Sequence, residues 1–147
     1  MMEEILTQLR ENGCRITPQR REILNILFAS KQHPKAEDIY EALRHKMPDT
    51  SLATVYNTLN RLKELGLVDV LDTFGEESAR FDPITAAHDH LYCLGCGRIF
   101  DIEPHQHEPL AQSQHAGFQI VREQTTYYGY CLECQGESGD EPPTILP

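Results

Sequence analysis

Two cysteine pairs are the residues whose spacing points most directly to chemistry. Cys93 and Cys96 form one Cys-x-x-Cys pair, Cys131 and Cys134 form another, and 34 residues separate them. Each pair can present two thiolates to one tetrahedral ion, and two pairs complete the coordination shell of zinc. Because four protein ligands leave no open position, the spacing predicts a structural zinc ion that stabilises the second half of the chain.

A dithiol redox function is the competing interpretation of these pairs. Redox pairs of the thioredoxin type open a helix in a strand–helix–strand unit, and no such unit is visible around CLGC or CLEC. The fifth cysteine, Cys14, stands apart from the pairs and is expected to be a small buried apolar residue.

Histidines and aspartates upstream of the first cysteine pair form a second candidate cluster. His88 and His90 are two residues apart, so on a strand both imidazoles lie on one face and can reach a common point. Asp82 and Asp101 flank neighbouring strands and could add oxygen ligands. Nitrogen and oxygen donors without thiolate suit Fe(II) or Mn(II). A polar loop with incidental histidines explains the same residues equally well.

The elements that must position these residues begin with four helices. The first spans 3–12, the second starts at Pro18 after an N-cap at Thr17, and the third spans 36–46. The fourth spans 51–66, with Ser51 as its N-cap, an apolar residue at every third or fourth position, and Gly66 at the C′ position.

A β-hairpin is expected after the fourth helix, with strands at 67–71 and 78–81 and a turn between them. Helices followed by a hairpin are typical of the winged helix-turn-helix, which places a helix in the major groove of DNA. A small helical domain with a hairpin and no function on DNA is the alternative.

The second half of the chain has a different pattern, in which strands replace most of the helices. Strands are predicted at 91–93 and 98–102 and a short helix at 107–116. Residues 118–130 are rich in β-branched and aromatic residues and lead into the last cysteine pair, where a last strand is expected. The fold class is therefore α+β. We expect a winged-helix domain over 1–83, a small α/β domain over 84–137, and a disordered tail over 138–147.

The charge of the chain is unevenly distributed. Of 13 Lys/Arg and 23 Asp/Glu, ten of each lie in residues 1–70, which leaves 3 − 13 = −10 for residues 71–147. A polyanion such as DNA could therefore dock only on the first half. A solvated surface of mixed charge is the alternative, and charge alone does not separate the two.

The amino terminus, MMEEILTQLRENG, has acids and no apolar core run, so no signal peptide is predicted. No stretch approaches the length of a membrane span, and we expect a cytoplasmic protein without a membrane partner. No nucleophile–base pair or phosphate-binding loop is present, which argues against an enzyme.

Several motifs together resemble the ferric uptake regulator (Fur) family of bacterial metal-dependent repressors. They run in family order from residue 13 to about residue 135: RITPQR, HPKAEDIY, SLATVYNTLNRLKELGLV, ARFD, HDHLYCLGCG and YYGYCLEC. The resemblance implies a homodimer, an amino-terminal winged helix that binds double-stranded DNA, and a carboxy-terminal dimerisation domain that contains the zinc.

The resemblance also implies a regulatory Fe(II) or Mn(II) site at His33, Asp82, His88, His90 and Asp101. A metal ligated from both domains would fix their relative angle. The two recognition helices of the dimer would then match successive major grooves, which couples metal binding to DNA binding.

Within the family the chain is similar to the peroxide-sensing PerR branch, because Asp101 occupies a position where many iron sensors have glutamate. In that branch ferrous iron reacts with peroxide and a ligand histidine is oxidised, here His33 or His88. The alternative is a Fur-type sensor of iron, manganese or another divalent metal without peroxide chemistry.

A further metal site of many family members is expected to be weak or lost. It uses a histidine where this chain has Glu123, although Asp89 and Glu108 match its acidic positions. We expect His105 and His107 to be exposed loop residues.

The predicted contacts with DNA come from the fourth helix and the segment before the second. Tyr56 and Asn57 are expected to approach base edges, with Arg61 on the same helix. Arg15 is expected to reach phosphates or an A·T-rich minor groove. The operator would be A·T-rich and palindromic, matching the two-fold symmetry of a dimer.

Overall fold

The protein is represented by a computed structural model, which describes residues 1–71, 77–83, 86–106, 117–120 and 123–135. The chain divides into two compact units, Met1–Thr85 and Ala86–Pro147. This division falls two residues after the boundary expected from the sequence. No helix in the described ranges is long and apolar enough to cross a membrane.

The first unit contains the four predicted helices, whose ends differ from the predicted ones by at most two residues. They are α1 (Met2–Glu11), α2 (Pro18–Ala29), α3 (Ala36–Arg44) and α4 (Leu52–Glu64). Each presents one apolar face to a shared core, as the three-and-four spacing requires. The fully buried members of that core are Leu6, Ile23, Leu24, Leu27, Ile39, Leu43, Val55, Leu59 and Leu62.

The ends of these helices follow from local sequence. The Thr17 and Ser51 hydroxyls accept hydrogen bonds from the third residue of their helices, in each case at 3.2 Å. Such a cap stabilises a helix by about 1 kcal/mol. Helix α4 ends at Gly66 with φ +68°, and the Leu67 N–H donates to the Leu62 carbonyl at 2.9 Å. This Schellman geometry confirms the predicted C′ glycine.

Two short antiparallel strands complete the first unit. They are β1 (Asp69–Leu71) and β2 (Arg80–Asp82), with Val70 opposite Phe81. The paired strands confirm the predicted hairpin, and residues 72–76 of its turn lie outside the described residues. The Phe81 N–H also donates to the Pro34 carbonyl at 3.0 Å, which extends the pairing to the segment before α3.

The second unit contains a three-stranded sheet of order β4-β3-β5. Strand β3 (Asp89–Cys93) pairs antiparallel with β4 (Ile99–Ile102) and parallel with β5 (Thr126–Gly129). One helical turn, α5 (Leu132–Gln135), follows. The predicted strands at 91–93 and 98–102 are confirmed.

The segment 118–130, rich in β-branched and aromatic residues, contains the last strand of the sheet. Within its described residues, only Thr126–Gly129 form a strand, and 118–120 and 123–125 do not. The four residues of this strand pair with His90 to Cys93 of β3. β-branched and aromatic residues favour strands but do not supply a partner. The helix predicted at 107–116 and the tail at 138–147 lie outside the described residues.

Candidate metal centres

The four paired cysteines converge in the second unit. Their sulfur atoms lie within 4.8 Å of one another, and Cys96 Sγ is 3.9 Å from Cys131 Sγ. A tetrahedral ion with Zn–S bonds of about 2.3 Å places its sulfurs about 3.8 Å apart. The donor set and its spacing therefore fit one zinc ion.

The fold brings the two pairs together through the parallel pairing of β3 and β5. Cys93 ends β3 opposite Gly129, and the Gly97 N–H donates to the Cys93 carbonyl at 2.8 Å, which closes the first knuckle. A side chain on Gly95 would meet Cβ and Sγ of Cys134 at 2.8 Å. Glycine at this position therefore leaves the room that the second knuckle needs to approach the first.

The thiols differ in their readiness to ionise when no metal is bound. Burial raises the pKa of Cys93, but backbone N–H groups, led by those of Cys131 and Cys96, more than offset it and bring the pKa to about 6. The Cys131 N–H lies 3.3 Å from Cys93 Sγ. The pKa of Cys134 is raised to about 12, first by its hydrogen bond with Cys131 and then by burial. A cation that binds all four sulfurs must therefore displace a proton from the cluster.

In the second unit, two imidazoles and one carboxylate also converge. His88 Nε2 lies 3.6 Å and His90 Nε2 3.5 Å from Asp101 Oδ1. Two donors each about 2.1 Å from one ion can be at most about 4.2 Å apart, so all three can bind the same ion. His90 is buried, and it faces Asp101 across the β3–β4 register. Two nitrogens and an oxygen without sulfur suit Fe(II) or Mn(II).

The imidazole of His88 is oriented by the backbone. Its Nδ1 lies 2.7 Å from the Ala86 carbonyl, so an Nδ1–H tautomer donates there and leaves the Nε2 lone pair facing Asp101. The rings of His88 and His90 meet edge to face, with centroids 4.5 Å apart. Such contacts fix tautomer and ring direction, which is how proteins commonly prepare a metal-binding histidine.

In the first unit, His33 and Asp82 form a second group of donors. His33 Nε2 lies 3.6 Å from Asp82 Oδ2, and both side chains are buried. His33 has φ +50°, the one positive value among the described non-glycine residues. A non-glycine residue in this region is uncommon, costs on the order of 1–3 kcal/mol, and is found most often at functional sites. This backbone strain has no signal in the sequence.

The four residues predicted to contact DNA have different surroundings. Asn57 is exposed on α4. The Tyr56 hydroxyl donates to Glu37 Oε1 at 2.6 Å, and this hydrogen bond raises the pKa of Tyr56. Arg15 is exposed, and its carbonyl accepts from Arg20 Nη1 at 2.8 Å.

Arg61 contacts the end of α1. Its Nη2 donates to the Asn12 carbonyl at 2.8 Å, its Nη1 to Glu64 at 2.9 Å, and its Nε to Cys14 Sγ at 3.1 Å. The expectation that Cys14 is simply a buried apolar residue is wrong in this respect, because its thiol is half-buried and accepts a hydrogen bond from a cation. Neighbouring polar residues line a cleft of about 480 Å³; they include Asn12, Cys14, Arg20, Asn57, Asn60 and Arg61.

The remaining polar positions stay outside both clusters. Among the residues that the structure describes, Glu123 is exposed and belongs to neither group of donors. His105 is exposed, and its N–H donates to Asp89 Oδ2 at 2.8 Å. Glu108 and His107 lie outside the described residues.

Comparison with known proteins gives a consistent picture. The model of the ferric uptake regulator family matches residues 11–128. The peroxide operon regulator of Bacillus subtilis is 45% identical over 135 residues, which cover 90% of this chain and 92% of that protein. The peroxide-responsive repressor PerR of Staphylococcus saprophyticus is 43% identical over 136 residues, 91% of each chain.

A solved structure agrees at the level of the fold. The ferric uptake regulator Fur of Helicobacter pylori, described as having three functional metal binding sites, matches with a TM-score of 0.72 at 27% identity. The match covers 95% of this chain and 97% of that one. The family match spans 118 of the 147 residues, from the last residue of α1 into β5. The chain therefore belongs to the ferric uptake regulator family.

Proposed function

We propose that this protein is a homodimeric, metal-dependent repressor that binds an operator in double-stranded DNA and releases it in response to peroxide. The observation that carries the proposal is the presence of convergent histidine and aspartate donors in each of the two units, of which His33, Asp82 and His90 are buried. The peroxide-responsive names of its relatives support the nature of the signal.

The regulatory ion is proposed to bind His33 and Asp82 of the first unit together with His88, His90 and Asp101 of the second. The two donors of the first unit would leave the coordination shell of an ion incomplete, and so would the three donors of the second unit. Together they supply three imidazoles and two carboxylates. An ion held from both units would fix the orientation of the helical unit and so favour DNA binding. Zinc is proposed at the four cysteines, where its role is structural.

The surface proposed to meet DNA is the exposed side of α4 with the segment before α2. Residues 1–70 carry no net charge, whereas residues 71–147 carry −10 and would repel a polyanion. Asn57 is proposed to read a base edge and Arg15 to reach the backbone or a narrow minor groove. Two copies related by a two-fold axis would read an A·T-rich palindrome.

The surface proposed for dimerisation lies on the second unit. Large apolar side chains are exposed there around a groove of about 440 Å³; they are Leu91, Phe100, Tyr127, Tyr128 and Leu132. Contiguous exposed apolar surface of this kind marks an interface with another protein. A second copy of the chain is the proposed occupant, which matches the symmetry expected of the operator.

Peroxide is proposed to act on the histidine ligands. Bound ferrous iron would supply the one-electron chemistry that begins cleavage of the O–O bond, and the imidazole ring is the two-electron reductant overall. One oxygen of hydrogen peroxide is then added to a ring carbon of His33 or His88, and the other oxygen leaves as water. An oxidised imidazole is a poorer donor, so the ligand set would lose the ion and the operator would be released. Because each event consumes a residue of the chain, this is a switch and not enzymatic turnover, and it would operate in the cytoplasm beside the chromosome.

The test compares protein loaded with Fe(II) and protein loaded with Mn(II). After low peroxide, the Fe(II) form should lose operator affinity and carry one added oxygen on His33 or His88 by peptide mass spectrometry. The Mn(II) form should keep both its affinity and its mass. Metal-dependent binding without any peroxide response would instead indicate a plain divalent-metal sensor, and release through cysteine oxidation would place the sensor at the zinc site.

A further inference from the structure

Arg98 makes a set of contacts that neither the cysteine spacing nor the regulatory cluster explains. Its Nε lies 3.2 Å from Cys96 Sγ and its Nη2 lies 3.5 Å from Cys131 Sγ. The same Nη2 pairs with the Glu133 carboxylate, and the guanidinium lies 5.6 Å from the centre of the Phe100 ring. One side chain therefore donates to a sulfur of each Cys-x-x-Cys pair.

The charge of a four-thiolate site explains why this contact matters. Four thiolates and one divalent ion sum to −4 + 2 = −2. Hydrogen bonds from a cation draw electron density from the acceptor and are stronger than bonds from a neutral donor. A sulfur that accepts such a bond is a weaker nucleophile, and its attack on an electrophile is slower.

The oxidation that such a sulfur would undergo is a two-electron step. Two thiolates give two electrons to one hydrogen peroxide, an S–S bond forms, the O–O bond breaks, and two protons complete two water molecules. The disulfide no longer supplies two thiolate ligands, so zinc is released. By this route, a peroxide-responsive protein would lose the zinc-stabilised fold of its second unit unless the thiolates were protected.

We propose that Arg98 is a positioning residue that holds the Cys96 and Cys131 sulfurs in a less reactive state, so that peroxide leaves the zinc site intact. The inference rests on the zinc site proposed above. Glu133 is largely exposed and an exposed ion pair contributes little to stability, so its part is to direct the guanidinium over the sulfurs. The guanidinium suits this arrangement because its planar fork donates in two directions at once, which a lysine ammonium does less well.

The experiment uses the full-length, zinc-loaded protein without iron and follows released zinc with a chromogenic chelator. Zinc release is measured once after addition of peroxide and once by chelator competition alone. The variants are Arg98→Gln, Arg98→Lys and Glu133→Gln. The control is Arg44→Gln, which removes the same charge from an exposed pair with Glu41 on α3.

Peroxide-driven release is expected to be about 10-fold faster in Arg98→Gln, the lower end of the range for outer-shell changes at metal sites. Arg98→Lys and Glu133→Gln should fall between that variant and the unchanged protein, and Arg44→Gln should match the unchanged protein. Release by chelator alone should change much less. If Arg98→Gln does not fold, the test rests on the other two variants. Peroxide-driven zinc release should then be faster in Arg98→Lys and Glu133→Gln than in the unchanged protein.

Equal peroxide-driven rates in Arg98 variants and unchanged protein would overturn the inference. Equal acceleration of both kinds of release would also overturn it, because a merely loosened site would behave in that way. Metal analysis of the purified unchanged protein precedes both measurements. A protein without stoichiometric zinc would refute the zinc site itself, and this outcome is distinct from the other two.

Discussion

The two clusters of metal donors differ in how much of the chain each one needs. The four cysteines all lie in the second unit, on two knuckles that the β3–β5 pairing brings together. The histidine and aspartate donors proposed for the regulatory ion belong to both units, and His33 has a positive φ, which is uncommon outside glycine. A closed set of ligands within one unit can only stabilise that unit. A set divided over two units can report a signal from one to the other.

Loss of the zinc cluster is expected to have the largest effect. Cys93→Ser or Cys134→Ser should release the ion and unfold much of the second unit, because zinc binding of this kind contributes about 10–16 kcal/mol of apparent free energy. Metal analysis, circular dichroism and thermal melting measure the result. Cys14→Ser is the matched control and should keep its zinc. A folded dimer with unchanged melting after all four paired cysteines are replaced by serine would refute the structural assignment.

The proposed regulatory set of His33, Asp82, His88, His90 and Asp101 is here called the divided cluster. Removal of one of its donors should leave the protein folded and abolish the effect of the metal on DNA binding. His33→Ala is expected to abolish the increase in operator affinity caused by Mn(II), while zinc content and the dimer remain. Coupling of this kind is typically worth about 1–3 kcal/mol, or roughly 5- to 150-fold in affinity. Fluorescence anisotropy with and without Mn(II) measures it.

His33→Asn separates the ligand from the backbone, because asparagine tolerates positive φ better than most residues. It should lose the response as His33→Ala does, and His45→Ala, an exposed histidine at the end of α3, should retain it. A full response to Mn(II) in both His33 variants would show that the divided cluster does not control DNA binding.

Substitutions on the surface proposed to meet DNA should affect neither cluster. Asn57→Ala is expected to change base preference by about 1–3 kcal/mol while zinc and Mn(II) binding stay the same. Arg15→Ala should weaken binding to all sequences and reduce the salt dependence by about one charge. Binding to a panel of operator variants at several salt concentrations separates the two effects. Unchanged affinity in both variants would move the DNA-contacting surface elsewhere.

The smallest expected change concerns one methylene group in the divided cluster. Asp101→Glu should keep metal-dependent operator binding, because a carboxylate remains. It should blunt the response of the Fe(II) form to peroxide by several-fold, because a longer side chain can alter the coordination that iron offers to peroxide. Asp101 Oδ1 already lies within 3.6 Å of both histidines, so there is little room for added length. Oxygen incorporation at His33 or His88 that matches the unchanged protein would contradict this role for Asp101.

Much of this protein follows from short stretches of its sequence. The caps at Thr17 and Ser51 and the Gly66 terminus depend on contacts within one helical turn, so they could be predicted from neighbouring residues. The two Cys-x-x-Cys pairs could likewise be predicted from the sequence, because each knuckle is local and one tetrahedral ion needs four thiolates.

Other features were decided only when distant segments packed together. The parallel pairing of β5 with β3 sets His90 opposite Thr126, and the composition of the segment does not determine that partner. Tyr56 and Arg61 have the side chains expected of DNA-reading residues, yet Glu37 and the end of α1 hold them.

Two features of the metal clusters also needed the folded chain. The positive φ of His33 and the fork of Arg98 over two sulfurs have no counterpart in local sequence. Local preferences act over a few residues, whereas these contacts depend on the positions of side chains far apart in the chain, which only the assembled tertiary structure determines.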